Sequence, residues 1–522
     1  MANNLVSVTE DSARGSFFLV CGNILSAVIQ AVGVFLLARL LGPDLYGVYT
    51  LSLVIPILFA QFVDFGISQG LIKFSASLNV KGEKAKIATF IHNCLLFKLL
   101  VSLAFSCLAT LSSDFLAAYA LNRPDIAFYI RLASLSIIFY AISDTTISAF
   151  IGLDSAEYSA LTINVQALVK SILSILLAAL GFSLAGAITG VVVGTLTSAF
   201  LGLTILYFKF HKALGDPKEN GIGFKESLKT IIGYSFPIYL STLLIQIIAQ
   251  LQGMILSVYA SDAEIGNFKA SSNFITLLSL LIAPIATALF PAFSKLEGDN
   301  YEIKRFFSLS IKYVTLLVVP ASTAMIIFAK PLNQIVYGPE YVSAPTYLML
   351  QAPIFLLAGL GYQVLNSLFN GANDPKTTLK MCLITFTVFV PLSLILTMHF
   401  SVPGLITALV ISNFTATLYG AYKAKTKFKV NYPSKTLLLI YTASALSAFP
   451  GYLTLQTIPL PTIPKFAAAA SIYLITYITL LPVLRAITKQ EIEEITIATE
   501  RIPLIKPFIK LLLKYEAKIV PK

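Results

Sequence analysis

Fourteen stretches of this chain are long and apolar enough to cross a bilayer, and they decide what it can fold into. A hydrocarbon core about 30 Å thick takes about 20 residues of helix. Such runs lie at 15–38, 48–71, 87–111, 126–150, 160–181, 184–208, 228–252, 268–292, 308–329, 345–369, 378–399, 402–422, 436–456 and 466–487, the seventh interrupted by Gln246, Gln250 and Gln252. Lipid offers no hydrogen bonds, so backbone groups must be paired within helices or closed barrels, and no run alternates with the period of a barrel strand. The expected fold class is therefore an all-α integral membrane protein with about 14 transmembrane helices. Composition agrees: charged residues are 12% of the chain, about half the share of a soluble domain. That excludes a soluble enzyme, a nucleic-acid-binding protein and a disordered scaffold. The net charge of +12 becomes a question about the two sides of a membrane.

With an N-terminus in the cytoplasm and fourteen alternating spans, cytoplasmic segments collect twenty-nine of the 37 basic residues. The outer side holds six (Arg39, Arg123, Arg131, Lys269, Lys330, Lys465), and Lys98 and Lys170 stay inside spans. Positive residues accumulate on the cytoplasmic side of membrane proteins. A missed helix would scramble the parity downstream, so the bias supports both the span count and an N-in, C-in topology in the cell's cytoplasmic membrane.

The chain also resembles itself. Ser16-Phe17, Gly47-Val48-Tyr49, Phe74-Ser75 and Phe150-Ile151-Gly152 recur as Ser235-Phe236, Gly266-Asn267-Phe268, Phe293-Ser294 and Phe369-Asn370-Gly371, each 219 residues on. Gly186-Ala187-Ile188-Thr189 recurs as Gly404-Leu405-Ile406-Thr407 at 218. A fixed offset marks a duplicated architecture. The expected domains are a six-helix bundle over 1–208, a cytoplasmic linker at 209–227, a second six-helix bundle over 228–422, two additional helices at 436–487, and a cytoplasmic tail at 488–522. Six is even, so both bundles start on one side. A pseudo-twofold axis along the membrane normal would leave a central cleft suited to alternating access. In the tail, Lys506, Lys510, Lys514 and Lys518 recur every four residues among apolar ones, the pattern of an interfacial amphipathic helix attracted to anionic lipid.

The segment Leu36-Leu37-Ala38-Arg39-Leu40-Leu41-Gly42-Pro43-Asp44-Leu45-Tyr46-Gly47-Val48-Tyr49 resembles the first-hairpin signature of the polysaccharide transporter family, the O-antigen-type flippases of the multidrug/oligosaccharidyl-lipid/polysaccharide exporter superfamily. Asp64-Phe65-Gly66-Ile67-Ser68-Gln69-Gly70, Phe150-Ile151-Gly152-Leu153-Asp154 and Phe369-Asn370-Gly371-Ala372 resemble its continuation. Fourteen spans also resemble the lipid II flippases. The resemblance implies a transporter, not an enzyme, that moves an isoprenoid-(pyro)phosphate-linked oligosaccharide from the inner to the outer leaflet. Its partners would be that lipid-linked substrate, membrane lipids and a coupling ion, H+ or Na+. A monomer is expected, with no nucleic-acid partner. The alternative is a cation-coupled multidrug exporter of the same superfamily, which would prefer acidic residues for cationic drugs.

Ionisable side chains within spans are costly and face protein or water-filled space. Here they are Arg39, Asp64, Lys98, Arg131, Asp144 and Lys170, all in the first half, while Lys269, Lys312 and Lys380 sit at run edges in the second. Cations replace the hydration and counterions of a phosphate, so Arg39, Lys98, Arg131 and Lys170 are candidate substrate-binding residues. Asp64 and Asp144 are candidates for ion coupling, or for plain ion pairs: by depth, Asp64 matches Lys98 and Asp144 matches Lys170. Amides such as Gln30 and Gln61 suit a sugar-lined path or helix contacts. Gly186, Gly190 and Gly194 form a small-residue stripe read as helix packing. The four cysteines (Cys21, Cys94, Cys107, Cys382) are read as buried free thiols. Together with the scattered histidines they show no metal-ligand spacing, so no metal, cofactor or catalytic group is expected.

Overall fold

The computed structural model describes residues 2–210, 223–296, 298–488 and 491. Most of the linker and nearly all of the tail lie outside them. Every regular element among the described residues is helical. The long helices are α1 (Ala2–Asp64), α2 (Ile67–Val80), α3 (Lys84–Leu111), α4 (Pro124–Gly152), α5 (Ala156–Leu177), α6 (Ser183–Ile205), α7 (Phe224–Tyr259) and α8 (Asp262–Lys295). They continue as α9 (Asn300–Ile327), the bent pair α10 (Ala344–Leu360 with Leu365–Gly371), α11 (Pro375–Phe428), α12 (Ser434–Thr457) and α13 (Thr462–Val483). Among the described residues ten segments are long and apolar enough to cross a membrane, or eleven with the bent pair. Three of the ten run for 60, 55 and 54 residues, far more than the about 20 that one crossing takes.

Those three are not straight. Each contains a backbone break: Gly42 at φ 73°, Gly181 at φ 97° followed by Ser183 at φ 45°, and Ser401 at φ 51°. At the second break the chain reverses. A Cβ on Gly186, Gly190 or Gly194 would fall within 3 Å of Leu177, Ser174 or Lys170, respectively. Rising numbers on α6 thus meet falling numbers on α5, so the glycine stripe is the seam of an antiparallel helix pair. By the same reading α1 runs parallel to α5, since Gly22 meets Ala160 and Gly33 meets Ser171. The end of α1 with α2 runs antiparallel to α7, where Val54, Gly66 and Gly70 meet Gly253, Ser235 and Ile231.

The described residues of 1–273 and 397–405 form one compact unit, and those of 274–396 and 406–522 the other. The same packing devices occur in each. In the first unit Gly152 presses on Ile72 and Ser75; in the second Gly371 presses on Phe290, Phe293 and Ser294. Gly202 meets Thr146, and Gly420 meets Leu365. Left-handed residues recur as well: Asp154 with Asn373, and Ser183 with Ser401. All these pairs obey the 219- or 218-residue offset, so the repeat is carried by close backbone contacts as well as by letters.

The outer surfaces of the helices are apolar, with Leu100, Ile172, Phe200, Ile395 and Leu474 among many exposed large side chains. The interior is apolar as well, with Phe150, Phe293 and Phe369 in its core, but many small polar residues are buried among them, Ser102, Ser143, Thr145, Ser198 and Ser412 included. An apolar exterior with small polar residues at the helix contacts follows from lipid as solvent. It also corrects the cysteine expectation: Cys94 is buried, but Cys21 and Cys107 are exposed, because lipid accepts a thiol as readily as a core does.

Candidate functional site

The densest polar cluster within the described spans is built around Lys98 of α3. Its position follows from a helix break. Asp64 ends α1, Phe65 and Gly66 take positive φ, and α2 starts at Ile67. The Asp64 carboxylate caps that start, accepting the N–H of Gly66 at 3.2 Å and of Ser68 at 3.1 Å, as short acidic side chains do at helix starts. The motif Asp64-Phe65-Gly66-Ile67-Ser68 is thus a device for interrupting a helix inside the membrane protein and aiming a carboxylate inward.

Lys98 donates to Asp64 Oδ1 at 2.6 Å, to Asp144 Oδ2 of α4 at 2.7 Å and to Ser68 Oγ at 2.8 Å. An ammonium has three hydrogens, and all are used. Its side chain is 1% exposed, against 24% and 29% for the two carboxylates, so the cation is sealed and the anions face outward from it. Ser68 Oγ also reaches Asp64 Oδ1 at 2.7 Å and lies against Asp144 Oδ2. Nearby, Tyr239 of α7 donates to the Gln61 carbonyl at 3.1 Å. Lys98 therefore takes both aspartates, and Asp144 pairs with Lys98 rather than with Lys170.

Lys170 is left without a carboxylate. It lies on α5 beside Gly194, half-buried, and lines a small hollow with Gln30, Tyr49 and Ser171. The group that acts on it electrostatically is another cation, Lys269 of α8. Among the described residues neither lysine has a hydrogen bond or an ion pair. Two like charges placed within reach of each other, with no anion between, repel. The arrangement suits an anion supplied from elsewhere. Lys269 was hidden in the sequence by its place at the edge of a run.

The remaining predicted cations are placed differently. Arg131, 44% exposed, donates to Asp114 at 2.5 Å and to Ser113 at 2.8 Å, a local pair at the end of its own helix. Arg39 is exposed, three residues before the break at Gly42. Arg123, which the sequence left in a loop, forms a two-pronged pair with Asp262 at the start of α8, one prong at 2.9 Å, and a second pair with Asp125 at 2.9 Å. These bonds, with Asp262 first, hold its guanidinium protonated beyond even its usual high value. Lys312 of α9, placed by the sequence at a run edge, is buried against Glu491 at 2.5 Å. Burial alone would raise the Glu491 carboxyl, but the Lys312 and Thr488 bonds win and hold it below the ordinary glutamate value.

No group of three or more metal-ligating side chains gathers among the described residues. Helix breaks, charges buried among apolar helices and the doubled packing pattern together define a polytopic helical fold. Solved structures with that fold include the lipid II flippase MurJ in its inward closed conformation (TM-score 0.73, 17% identity, 90% of this chain and 98% of that one). Another is an inward-facing multidrug resistance MATE transporter of the MOP superfamily (0.63, 15%, 77% and 94%). Residues 12–297 match the family described as polysaccharide biosynthesis protein, more than half of the chain, and the chain belongs to that family. Relatives include the probable low-salt glycan biosynthesis flippase Agl15 of Haloferax volcanii, 23% identical over 79% of this chain and 83% of the relative. The lipopolysaccharide biosynthesis protein WzxC of Escherichia coli is 24% identical over 68% and 69%.

Proposed function

We propose that this protein is a flippase that carries an isoprenoid-(pyro)phosphate-linked oligosaccharide from the cytoplasmic to the outer leaflet by alternating access, for polysaccharide or glycoprotein-glycan assembly. The observation that carries the reading is the pair Lys170 and Lys269, which has no carboxylate partner among the described residues, in a chain of this family. Such a pair of lysines is matched by a phosphate or pyrophosphate headgroup. It repels the cationic drugs that a multidrug exporter would handle. Relatives named as glycan and lipopolysaccharide flippases or biosynthesis proteins support the same cargo class. Arg39 and Arg131 join the reading as outlying cations that meet the headgroup on its way, whereas Lys98, sealed between Asp64, Asp144 and Ser68, stays out of the path.

Each of the three longest apolar segments holds a backbone break and has the length of two crossings. Taken as two apiece, with the bent pair as one, they bring the total to the fourteen that the apolar runs give, with both termini cytoplasmic in the cell's cytoplasmic membrane. The working unit is a monomer. The test is leaflet exchange in liposomes with an isoprenoid-pyrophosphate-linked oligosaccharide as probe. Lys170→Met and Lys269→Met should each slow exchange at least about tenfold, about 1.4 kcal/mol of lost headgroup binding. Full exchange rates in both well-folded variants would remove the pair from the path.

A further inference from the structure

The connection between α11 and α12 carries five lysines, Lys423, Lys425, Lys427, Lys429 and Lys435, and no acidic residue over 423–435. Two of them are engaged within the protein. Lys427 pairs with Asp374 at 2.9 Å, and Lys423 lies over the rings of Tyr419 and Tyr422. Lys425 has no carboxylate partner among the described residues, and it lines a cavity of about 840 Å³ that lies wholly within the second unit. Leu356, Leu360 and Leu438 give that cavity apolar walls, while Asn431 and Ser434 add hydrogen-bonding side chains beside the lysine.

A helix break creates the space. Gly361 takes φ 94°, so α10 bends, and tyrosines serve the backbone groups before the bend. Tyr441 of α12 donates to the carbonyl of Leu356 and accepts the N–H of Gly359 at 3.2 Å, and Tyr432 donates to the carbonyl of Leu360 at 3.3 Å. These bonds hold the start of α12 against α10. Further along, α12 packs on α9 and α13 but hardly on α11, which leaves the gap between α11 and α12 open.

Both helices continue the cavity as apolar surface. On α11, Lys425 follows Ile411, Phe414, Leu418 and Tyr422 at steps of three or four residues, all four of them exposed, so the five share one face. On α12, Leu438 is 64% exposed and shares a face with the exposed Leu446, Phe449 and Leu453. From Leu438 to Leu453 the helix rises about 22 Å, more than the about 15 Å of hydrocarbon in one leaflet.

We propose that this cavity binds one anionic phospholipid from the leaflet at which α11 ends and α12 begins. Lys425 takes the phosphate, Asn431 and Ser434 donate to the headgroup oxygens, and the acyl chains lie along the two stripes. A cation at the head of two apolar stripes matches an amphiphile with a net negative charge. A soluble phosphate has no use for the apolar walls. A zwitterionic lipid carries its own cation beside the phosphate, which Lys425 and its four neighbouring lysines repel. The cargo is not the occupant either: the cavity lies apart from Lys170 and Lys269, which are in the other unit. A lipid held here braces the Tyr432 and Tyr441 contacts to the bend of α10, so its binding stabilises the folded protein.

The test is native mass spectrometry of the full-length protein in detergent, titrated with dioleoyl phosphatidylglycerol or dioleoyl phosphatidylcholine. Wild type should retain one phosphatidylglycerol about fivefold more tightly than phosphatidylcholine, the factor that one lysine near an anionic headgroup supplies. Lys425→Met should remove that preference. Leu438→Trp fills the mouth of the cavity without changing charge and should weaken retention of both lipids, which a response of the basic tail to charge alone would not do. Lys330→Met, at an exposed lysine past the far end of α9, should change nothing. Phosphatidylglycerol should also raise the unfolding temperature of wild type, and glycerol 3-phosphate should not. Equal retention of the two lipids by wild type, or unchanged phosphatidylglycerol retention in folded Lys425→Met and Leu438→Trp, overturns the proposal. So does equal protection by glycerol 3-phosphate, which marks a site for a soluble anion, or displacement of phosphatidylglycerol by an equal concentration of an isoprenyl pyrophosphate, which marks a carrier-lipid site. Wild-type selectivity decides the matter even if a variant misfolds, and no measurement uses cargo exchange, so failure of the flippase reading leaves this site standing.

Discussion

Replacing Gly47 by alanine should loosen the protein by a predictable amount, and replacing Gly266 should loosen it by the same amount. A Cβ on Gly47 would lie 2.0 Å from the carbonyl oxygen of Asp262, and one on Gly266 would lie 1.9 Å from that of Pro43. Contacts under 3.0 Å force a shift, so either variant must part the two backbones by about 1 Å. The obstructing atoms are backbone, so no rotamer change relieves them. The contact is also two-fold: each glycine faces the carbonyl four residues before the other glycine, and 43 and 47 map onto 262 and 266 by the repeat offset. Such an isologous contact costs the same from either side. Overpacking of this kind costs about 1–3 kcal/mol. The upper half of that range is expected, because moving Asp262 also strains its pair with Arg123. The double variant should cost clearly less than the sum, since the first methyl already separates the strips that the second would separate. Thermal unfolding of purified protein in one detergent measures all three. Gly233 supplies the control: it is helical, exposed and has no heavy atom within 4 Å of its would-be Cβ, so Gly233→Ala should stabilise by about 0.5–1 kcal/mol. Single variants that differ by more than about 1 kcal/mol, or either one as stable as wild type, would refute the two-fold contact.

Other consequences follow from the charges. Lys98→Met should cost at least about 3 kcal/mol in thermal unfolding, because it leaves two carboxylates facing a site built for an ammonium, and Lys98→Arg should not rescue it in a space sealed to 1% exposure. Arg123→Gln should weaken the link between the loop before α4 and the start of α8, read as faster disulfide trapping or hydrogen exchange at 262–264, whereas Arg123→Lys, which loses the two-pronged geometry, should recover only part of it. The Glu491 carboxyl is depressed, so its pairing with Lys312 stabilises the protein above the ordinary glutamate value of about 4.3 and is lost as pH falls through and below it. Glu491→Gln should accordingly destabilise by about 3 kcal/mol near neutral pH and by little in acid, measured as unfolding temperature against pH.

The sequence by itself determined that the chain is a bundle of membrane helices, because the length and polarity of an apolar run are one-dimensional quantities that a bilayer reads directly. It also carried the duplication, since close helix contacts demand glycine at Gly47, Gly152, Gly186 and Gly202, and a missing side chain is visible in letters. It picked out the ionisable residues as well, because charge inside a span is rare. What only the tertiary structure decided is which charge meets which. Depth along a helix can be read by counting residues, but the direction a side chain faces depends on helix rotation, kinks and neighbours. Depth alone allowed Asp144 to pair with Lys170. The break at Phe65 and Gly66 instead turns Asp64 and Ser68 onto Lys98, draws Asp144 to the same ammonium, and leaves Lys170 to face Lys269, a residue 99 positions away.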